Sequence, residues 1–290
     1  MLVVHNPGAS AADAGALSRL MATHFAGRQV DYVECHRQQL AGRLAPWLER
    51  GVRLIIAAGG DGTLSDIATA LPPGGPTVGV LPMGTGNVMA RELDLPLDLD
   101  EAAAMLAGNF AVRRLDLLQV DGRAYLLSVS AGMSARAMRE TGPWRKRVFG
   151  KSSYLVSLLL NFFAMHPTEF VVRADGRQVR VRASDLMALN SASLGYKALR
   201  WWPQVRPDDG HMDMCHLEAE NGVRYLWVVY NFLRGNYFRQ PWLDHAPVKR
   251  TLVIEEPRGL AVQGDGDWIG ETPVEITLLP AALNVAVPAR

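Results

Sequence analysis

The segment Gly59 to Thr63 reads GGDGT, and its residue types suit a loop that binds phosphate. It follows an apolar strand pattern and precedes a helical pattern that begins near Leu64. Glycines let the backbone turn tightly against a ligand, and a helix start offers N–H groups to phosphate. A carboxylate such as Asp61 suits this place if it contacts Mg²⁺ or its water shell. We therefore predict a nucleotide phosphate site, with a tight turn and a Thr63–Asp66 capping box as the alternative.

A second glycine loop follows the next strand pattern. Thr77 to Leu81 leads into Gly84 to Asn87, which reads GTGN, and then into a helix starting near Val88. The carboxyl ends of parallel strands meet at one sheet edge, where open α/β folds bind ligands. The first strand ends at the same edge with Asn6, although a Pro-Gly turn with Ser10 as a helix cap is the alternative there.

Two carboxylates stand close together in the second half of the chain. Asp265 and Asp267 alternate with glycines, and such a pair could place a base against a substrate hydroxyl. Asp-Gly is also the commonest hairpin signal, and without further context the residues slightly favour that turn. The segment Pro207 to Gly210 likewise predicts a turn first and an oxygen-ligand metal loop second.

The pattern of residue types along the chain predicts the helices and strands that position these loops. In its first third, β-branched runs alternate with Ala/Leu-rich helical stretches, as in a parallel sheet covered by helices. After Arg113, short β-rich runs with Asp-Gly turns predict an antiparallel sandwich. We expect a doubly wound α/β domain over residues 1–113 and a β-rich domain over 114–290, whose final residues pack back on the first. The strands predicted for the first domain are Leu2 to His5, Val30 to Glu34, Leu54 to Ala58 and Thr77 to Leu81.

Composition and charge exclude several classes of protein. Of 290 residues, 49% are apolar and 20% charged, which is typical of a globular chain of about two domains. The net charge of +1 provides no field to attract nucleic acid. Cys35 and Cys215 form no recognisable disulfide or metal pattern, which favours a reducing cytoplasm. The start lacks an export signal, and the longest apolar stretch, Tyr154 to Met165, is shorter than the roughly 20 residues of a membrane span.

Several common catalytic motifs are absent from the sequence. The histidines show neither HExxH nor another clustered ligand spacing, which argues against a histidine zinc site. Neither a GxSxG nucleophile elbow nor a GxxxxGK[ST] loop occurs, which removes the commonest hydrolases and NTPases. GxGxxG after a strand is also missing, which weakens a dinucleotide oxidoreductase.

Two segments suggest a surface partner. Trp144 to Lys151 combines four cations with two aromatic rings and no acid, which suits an anionic lipid surface, and a solvated loop is the alternative. Helical patterns cover Ser152 to Met165 and Val223 to Tyr237. We expect the aromatic residues of Tyr225 to Phe238 to pack in the core, and a wall that admits an acyl chain is the alternative.

Taken in order, these residues resemble the diacylglycerol kinase catalytic family, which includes bacterial lipid kinases and sphingosine kinases. The resemblance covers nearly the whole chain, and it implies an N-terminal domain that binds ATP and a C-terminal β-domain that helps to form the lipid site. The segments that carry it are Asn6-Pro7 with Ser10, Gly59 to Thr63, Gly84 to Asn87 with Ala90-Arg91, Phe149-Gly150 with Tyr154, Asp208 to Gly210, Asp265 to Asp267, and Pro280 to Leu283.

The resemblance also implies roles for single residues. Asp265 would be the general base that takes the proton from the lipid hydroxyl, with Asp267 as the second acid of the same loop. Asp209, with the backbone carbonyls of Arg206 and His211, would match a Mg²⁺ site distinct from the catalytic Mg²⁺. The residues implied to bind ATP are Asn6, Gly59, Gly60, Asp61, Gly62, Thr63, Leu64, Ser65, Gly84, Thr85 and Asn87.

The chain departs from the family pattern at four places. Ser65-Asp66 stands where Asn-Glu is usual, and Asp267 stands where glutamate is common, so both carboxylates are kept on shorter side chains. Val88 replaces a common aspartate and loses its charge. Glu34 to His36, at the end of the second strand, has no threonine of the kind that contacts nucleotide in some members.

These observations together favour an ATP-dependent lipid kinase that uses Mg²⁺ and works in the cytoplasm at the inner face of a membrane. Diacylglycerol, a sphingoid base, ceramide and a polyprenol all fit as acceptors. An NAD kinase-like enzyme, with a similar GGDG loop, is one alternative. A non-catalytic protein that binds lipid or nucleotide is another, motivated by Val88 and the shortened acids. An exposed sheet edge is open to a homodimer.

Overall fold

The computed structural model describes residues 1–7, 14–136, 138–139, 167–196, 199–200, 202, 204–234 and 242–289. The chain divides into two compact units. The first comprises Met1–Leu117, Gly122–Ala124 and Pro280–Arg290, and the second Leu118–Asp121 and Tyr125–Leu279. The Trp144 to Lys151 segment, the Ser152 to Met165 pattern and Ser10 lie outside the described residues.

In the first unit, a parallel sheet alternates with helices. The strand order is β2-β1-β3-β4, and a final strand, β18, lies parallel to β4 where Val285 pairs with Val78. All four strands predicted for this region are confirmed. The elements are β1 (Leu2–His5), α1 (Ala14–His24), β2 (Asp31–Glu34), α2 (Leu40–Glu49), β3 (Leu54–Gly59), α3 (Asp61–Ala70), β4 (Thr77–Pro82), α4 (Val88–Glu92), α5 (Leu99–Ala107) and β18 (Val274–Pro288).

The core of this unit explains the strand and helix patterns. Val3 on β1 and Ile56 on β3 lie on one face of the sheet, where they share a cluster with Met21 of α1 and Leu106 of α5. Successive strand residues are buried on both faces, as expected for a parallel sheet with helices on each side. The sheet therefore fixes the ends of β3 and β4, from which the two glycine loops emerge.

The second unit is an antiparallel sandwich, as the β-rich pattern predicts. One sheet has the order β14-β13-β10-β7-β16-β17, and the other joins the first part of β18 to β15, β8 and β9. Val129 and Leu186 from one sheet and Phe170 and Ile254 from the other belong to one buried cluster. The elements after α5 are β5 (Phe110–Val120), β6 (Arg123–Tyr125), β7 (Ser128–Gly132), β8 (Thr168–Ala174), β9 (Arg177–Ala183), β10 (Asp185–Leu189), β11 (Ser193–Tyr196), β12 (Leu199–Arg200), β13 (Met212–Leu217), α6 (Gly222–Leu233), β14 (Leu243–Val248), β15 (Thr251–Glu256), β16 (Ala261–Gly264) and β17 (Asp267–Glu271).

An Asp-Gly turn joins β8 to β9, and its aspartate also holds a distant loop. Asp175 has a positive φ of 47° and Gly176 one of 83°, which are the values of a type I′ hairpin. The Asp175 carboxylate accepts the backbone N–H groups of Lys249, Arg250 and Thr251 at 2.8 to 3.1 Å. Desolvation raises the pKa of Asp175, but the three N–H donors outweigh it, so the pKa of this carboxyl is lowered.

Across the described ranges, no helix is both long and apolar enough to cross a membrane.

Replacing Gly79 by alanine tests the packing of β4 on α5. An added Cβ would lie 2.6 Å from Cδ2 of Leu106, a side chain that is fully buried and cannot swing away. We expect Gly79→Ala to lower the free energy of unfolding by about 1–3 kcal/mol, measured by urea denaturation. In the control, Gly42→Ala in α2, the added Cβ meets nothing within 4 Å. Equal stability of the two variants would contradict this packing.

Candidate functional site

The GGDGT segment enters α3 earlier than its sequence pattern suggests. The helix begins at Asp61, with Gly60 as its N-cap, and the backbone N–H of Thr63 donates to the Gly60 carbonyl at 3.0 Å. The predicted helix start near Leu64 is therefore wrong, and so is the alternative of a Thr63–Asp66 capping box. Thr63 lies within the first turn, where its hydroxyl accepts a hydrogen bond from Asn6 Nδ2 at 3.2 Å.

The glycines of the two loops allow the loops to touch each other. A Cβ on Gly84 would lie 2.5 Å from the Cα of Gly60, and a Cβ on Gly59 would lie 2.2 Å from Oγ1 of Thr63. Because backbone atoms of Gly60 cannot be displaced as a flexible side chain can, no larger residue fits at Gly84. The structure thus brings the loops after β3 and β4 together at the carboxyl edge of the sheet.

Asp61 connects the first loop to the second. Its Oδ2 accepts the backbone N–H of Val88 and its Oδ1 that of Met89, both at 2.9 Å. These are the first two amides of α4, so the carboxylate of one loop satisfies the helix start that follows the other. Burial raises the pKa of Asp61, although the N–H groups of Met89 and Val88 oppose that shift.

Asn87 holds the second loop in shape. The residue has a left-handed backbone conformation, with φ 47° and ψ 46°. Its Nδ2 donates to the carbonyls of Pro82 and Gly84 at 2.9 and 2.7 Å, and its Oδ1 accepts the Gly84 N–H at 3.0 Å. The predicted nucleotide contacts Asp61 and Asn87 are therefore also the side chains that build the loops.

The remaining predicted nucleotide residues lie at different depths. Gly62 and Thr85 are exposed at the loop surface. Thr63, Leu64 and Ser65 are almost completely buried within the first turns of α3. The exposed start of α3 and the exposed part of the GTGN loop form the surface that a phosphate chain could reach.

A cation beside this edge was missed by the sequence reasoning. Arg37 follows β2, and its Nε donates to Asp66 Oδ1 at 2.9 Å, while Arg123 lies 3.8 Å from the same oxygen. Of the described residues, His36 to Gln39 line a cavity of about 500 Å³. The signal was available in the sequence as a basic residue three positions after a strand that ends at the loop edge.

In the second unit, the loop of predicted catalytic acids is a hairpin turn. Asp265 and Gly266 have φ values of 49° and 82° and join β16 to β17, while Asp267 pairs with Gly264 at the start of β17. A Cβ on Gly264 would lie 2.4 Å from the ring of Tyr125, so that the aromatic side chain packs directly on the backbone beneath the turn.

The Asp265 carboxylate is held by three successive backbone amides. Oδ2 accepts the N–H of Leu126 at 2.8 Å, and Oδ1 accepts those of Leu127 and Ser128 at 2.9 and 3.1 Å. Charge-assisted hydrogen bonds of this kind stabilise the ionised carboxylate and fix its position. The arrangement repeats that of Asp175, another Asp-Gly turn whose carboxylate accepts three amides.

A buried polar chain runs from this turn into the sandwich. The Gly266 N–H donates to Gln263 Oε1 at 2.7 Å, and Gln263 Nε2 donates to Ser130 Oγ at 2.8 Å. The hydroxyls of Ser130 and Ser134 lie 2.8 Å apart, and Ser134 Oγ donates to Asp185 Oδ1 at 3.0 Å. Burial raises the pKa of Asp185 to about 7, against the hydrogen bonds from Ser134. None of these spacings was visible in the sequence, because the residues come from three strands and the segment after one of them.

The third predicted site, around Asp209, is a turn with one suitable carboxylate. Asp209 Oδ1 accepts the His211 N–H at 3.3 Å and lies 3.1 Å from His211 Nδ1. Within the described ranges, no three His, Cys, Asp or Glu side chains form a metal-binding group. Asp209 is thus the only side chain of the predicted ligand set, whose other members are the backbone carbonyls of Arg206 and His211.

Both units are similar to known protein families. Residues 1–120 match the diacylglycerol kinase catalytic domain. Residues 127–287 match the YegS C-terminal NAD kinase beta sandwich-like domain.

Curated relatives share the greater part of this chain. A protein of Bacillus subtilis named "Diacylglycerol kinase" is 28% identical over 81% of this chain and 78% of its own length. A protein of Pseudomonas syringae pv. tomato named "Probable lipid kinase YegS-like" is 30% identical over 84% of this chain and 78% of its own length.

A solved structure shows the same fold. A crystal structure of a diacylglycerol kinase from Bacillus anthracis superposes with a TM-score of 0.76 over 99% of this chain and 96% of that chain. The sequences are 21% identical, so this likeness concerns the fold alone.

Gly84→Ala tests the contact between the two loops. The added methyl group would meet the Gly60 backbone, so the loops must separate and the Asp61 bonds to α4 must lengthen. We expect nucleotide affinity, measured by calorimetric titration, to fall at least about ten-fold, which corresponds to about 1.4 kcal/mol. Gly42→Ala, which adds a methyl group in open space, serves as the matched control. Unchanged affinity in Gly84→Ala would refute the close approach.

Asp185→Asn tests the buried end of the polar chain. The pKa of Asp185 is about 7 in the folded protein and about 3.9 in an unfolded chain. The folded state therefore holds its proton more tightly, and the resulting stability is complete below about pH 4 and is lost as pH rises through about 7. We expect the free energy of unfolding of the wild type to fall relative to Asp185→Asn by up to about 1.4 kcal/mol per pH unit across this window. Parallel pH profiles of the two proteins in urea denaturation would contradict the assignment.

Proposed function

The chain belongs to the diacylglycerol kinase catalytic-domain family, and we propose that it is a lipid kinase that transfers the γ-phosphate of ATP to the hydroxyl of a lipid. The observation that carries this proposal is the joining of the GGDGT and GTGN loops by Asp61 at the carboxyl edge of a parallel sheet. Nucleotides bind at this edge in open α/β folds, and phosphoryl transfer depends mainly on positioning and charge neutralisation.

The first unit supplies the groups that would hold the phosphates. The N–H groups of Thr63 and Leu64 already donate to the Gly60 carbonyl, so a phosphate would approach the start of α3 before them, at the exposed Gly62. Thr85 is exposed on the neighbouring loop and offers a hydroxyl. Arg37 lines the cavity after β2 and is paired with Asp66 at 2.9 Å, so we propose it as a hydrogen-bond donor to a phosphate rather than as an unbalanced charge. The other residues proposed to bind ATP, through backbone or side chain, are Asn6, Gly59, Gly60, Asp61, Thr63, Leu64, Ser65, Gly84 and Asn87.

Magnesium fits this arrangement through substrate phosphates rather than through a protein cage. Mg²⁺ neutralises charge on the transferred phosphate and is usually bound by one or two carboxylates together with phosphate oxygens. Both oxygens of Asp61 already accept backbone N–H groups, so we propose that this carboxylate acts on the water shell of the ion. A second ion would be held by Asp209 with the carbonyls of Arg206 and His211.

The second unit supplies the group that would act on the acceptor. We assign Asp265 as the group that orients the lipid hydroxyl and takes its proton, with Asp267 beside it. The amides of Leu126, Leu127 and Ser128 hold the Asp265 carboxylate in one position, which suits the orientation of a hydroxyl group. A loose phosphoryl-transfer transition state demands little basicity of the attacking group.

The acceptor we propose is diacylglycerol or another lipid with one hydroxyl on a long apolar body. The name of the Bacillus subtilis relative makes diacylglycerol the first acceptor to test. An NAD kinase activity is the second candidate, because residues 127–287 match a domain described as NAD kinase beta sandwich-like.

The proposed activity is tested by transfer of label from γ-labelled ATP with Mg²⁺. The acceptors are diacylglycerol, sphingosine, ceramide and a polyprenol in mixed micelles, with NAD in a separate reaction. We expect a labelled lipid and no labelled NAD. Labelled NAD without labelled lipid would reverse the assignment, and ATP binding without any transfer would support a non-catalytic binding protein.

Asp265→Ala, compared with Asp175→Ala, separates catalysis from stability. Each variant removes a carboxylate that accepts three backbone amides at an Asp-Gly turn, so both are expected to lose stability. Only Asp265→Ala should lower kcat by about 100-fold or more, because a positioned base contributes about 10²–10⁴-fold. The melting temperature of each variant is determined by thermal unfolding. Lipid phosphorylation is then measured at a temperature at which both proteins are folded. Equal kcat values in the two variants would show that Asp265 is a structural anchor only.

A further inference from the structure

Helix α6 exposes an apolar stripe, which we define as Val223, Leu226, Trp227 and Tyr230. Their spacing of i, i+3, i+4 and i+7 places them on one face of the helix. The exposed fractions are 76%, 50%, 41% and 51% in that order. Our expectation that the aromatic residues of this segment pack in the core is therefore wrong for Tyr230, whereas the Trp227 ring is partly exposed and also packs edge-on against Trp242, with ring centroids 5.2 Å apart.

The opposite side of the helix anchors it to the second unit. Val228 is 3% exposed and shares a buried cluster with Trp202, Cys215 and Leu217. Asn231 is also buried, and its Nδ2 donates to the Trp227 carbonyl at 2.8 Å. Val228 thus packs on the second unit, while the apolar stripe lies on another face of the helix.

This stripe is a concentration of apolar surface that the rest of the described chain does not match. Of the nine large hydrophobic side chains exposed among the described residues, four lie on α6. The other five are single residues on separate elements, an ordinary distribution for a globular protein. A contiguous exposed apolar patch marks a surface that is covered in function.

The charges around the stripe indicate the kind of surface that covers it. No Asp or Glu occurs between Gly222 and Arg234. Arg234 follows Tyr230 by one turn, with its guanidinium 4.9 Å from the ring centroid. Arg224 pairs with Glu220 at 2.7 Å and lies over the Trp242 ring. Trp and Tyr rings prefer the headgroup region of a bilayer, and basic residues beside them favour anionic lipids.

We propose that the apolar stripe of α6 docks on an anionic phospholipid surface, with Val223 and Leu226 entering the acyl boundary and Arg234 contacting headgroup phosphates. Amphipathic helices with Trp or Leu on one side and basic residues beside it lie in the membrane interface in this way. The proposal extends the lipid kinase function proposed above, since a kinase of membrane lipids must meet its acceptor at such a surface. Docking itself, however, does not require catalysis.

The direct test is binding to vesicles without nucleotide. Wild-type protein is sedimented with vesicles of phosphatidylglycerol and phosphatidylcholine and with vesicles of phosphatidylcholine alone. We expect Leu226→Glu to lower the ratio of bound to free protein on anionic vesicles at least ten-fold. Val179→Glu, at an apolar residue that is 40% exposed on β9, is the matched control and should bind like the wild type. Arg234→Gln should weaken binding to anionic vesicles and leave the residual binding to phosphatidylcholine unchanged.

Circular dichroism and thermal unfolding verify that each variant is folded, which is expected because Leu226 and Arg234 are exposed. Absence of binding by the wild type, or equal binding by Leu226→Glu, would overturn the proposal. A wild-type dimer that Leu226→Glu dissociates in sedimentation velocity, without vesicle binding, would assign the stripe to a second copy of the chain and would also overturn it.

A kinase assay separates this proposal from the proposed function. With acceptor lipid presented in vesicles, Leu226→Glu should raise KM for the lipid, while kcat in detergent micelles remains near the wild-type value. Vesicle binding that depends on Leu226, without transfer to any lipid, would support the docking surface and refute the kinase. Lipid transfer with vesicle binding that is independent of Leu226 would support the kinase and refute the docking surface.

Discussion

The hydrogen bonds from Val88 and Met89 to the Asp61 carboxylate are the constraint on which the nucleotide edge depends. They satisfy the first amides of α4 from a residue in the loop after the neighbouring strand, and so they hold the two loops together. The close approach of Gly60 and Gly84 follows from the same contact, because the loops can meet only where neither has a side chain. Asn87 then closes the second loop around its own backbone. A residue implied by resemblance to contact nucleotide is thus also the one that builds its surroundings.

The same device appears in the second unit. Asp265 and Asp175 both occupy the first position of an Asp-Gly turn, and each holds three consecutive amides of a remote segment. Such a carboxylate is held in a fixed position, since its backbone donors cannot rotate away as side-chain donors can. Asp265 differs from Asp175 in its surroundings, because the polar chain through Gln263 and Ser130 supports its turn from below. A fixed anion beside an organised turn is well suited to orient a hydroxyl group.

The apolar stripe of α6 shows how one helix can serve two surfaces. Val228 packs in a buried cluster of the second unit, and the stripe remains exposed. Helical aromatic residues are ordinarily explained by core packing, because burial of apolar area is the main stabilising force in a folded domain. Here Val228 packs in the core, whereas Val223, Leu226 and Tyr230 are half or more exposed.

Much of the fold was determined by the sequence alone, because apolar periodicity and glycine spacing are local properties of the chain. They fixed β1 to β4, the glycine loops after β3 and β4, the Asp-Gly turns and the β-rich second half. The tertiary structure decided where α3 begins, what Asp61 and Asp265 bind, and which face of α6 is exposed. The partners of these carboxylates are backbone N–H groups that lie 27 to 28 and 137 to 139 residues away in the chain. Every residue except proline carries the same backbone N–H, so the side-chain types in the sequence do not indicate which N–H groups a carboxylate will bind. Only the folded backbone brings those N–H groups within hydrogen-bond distance.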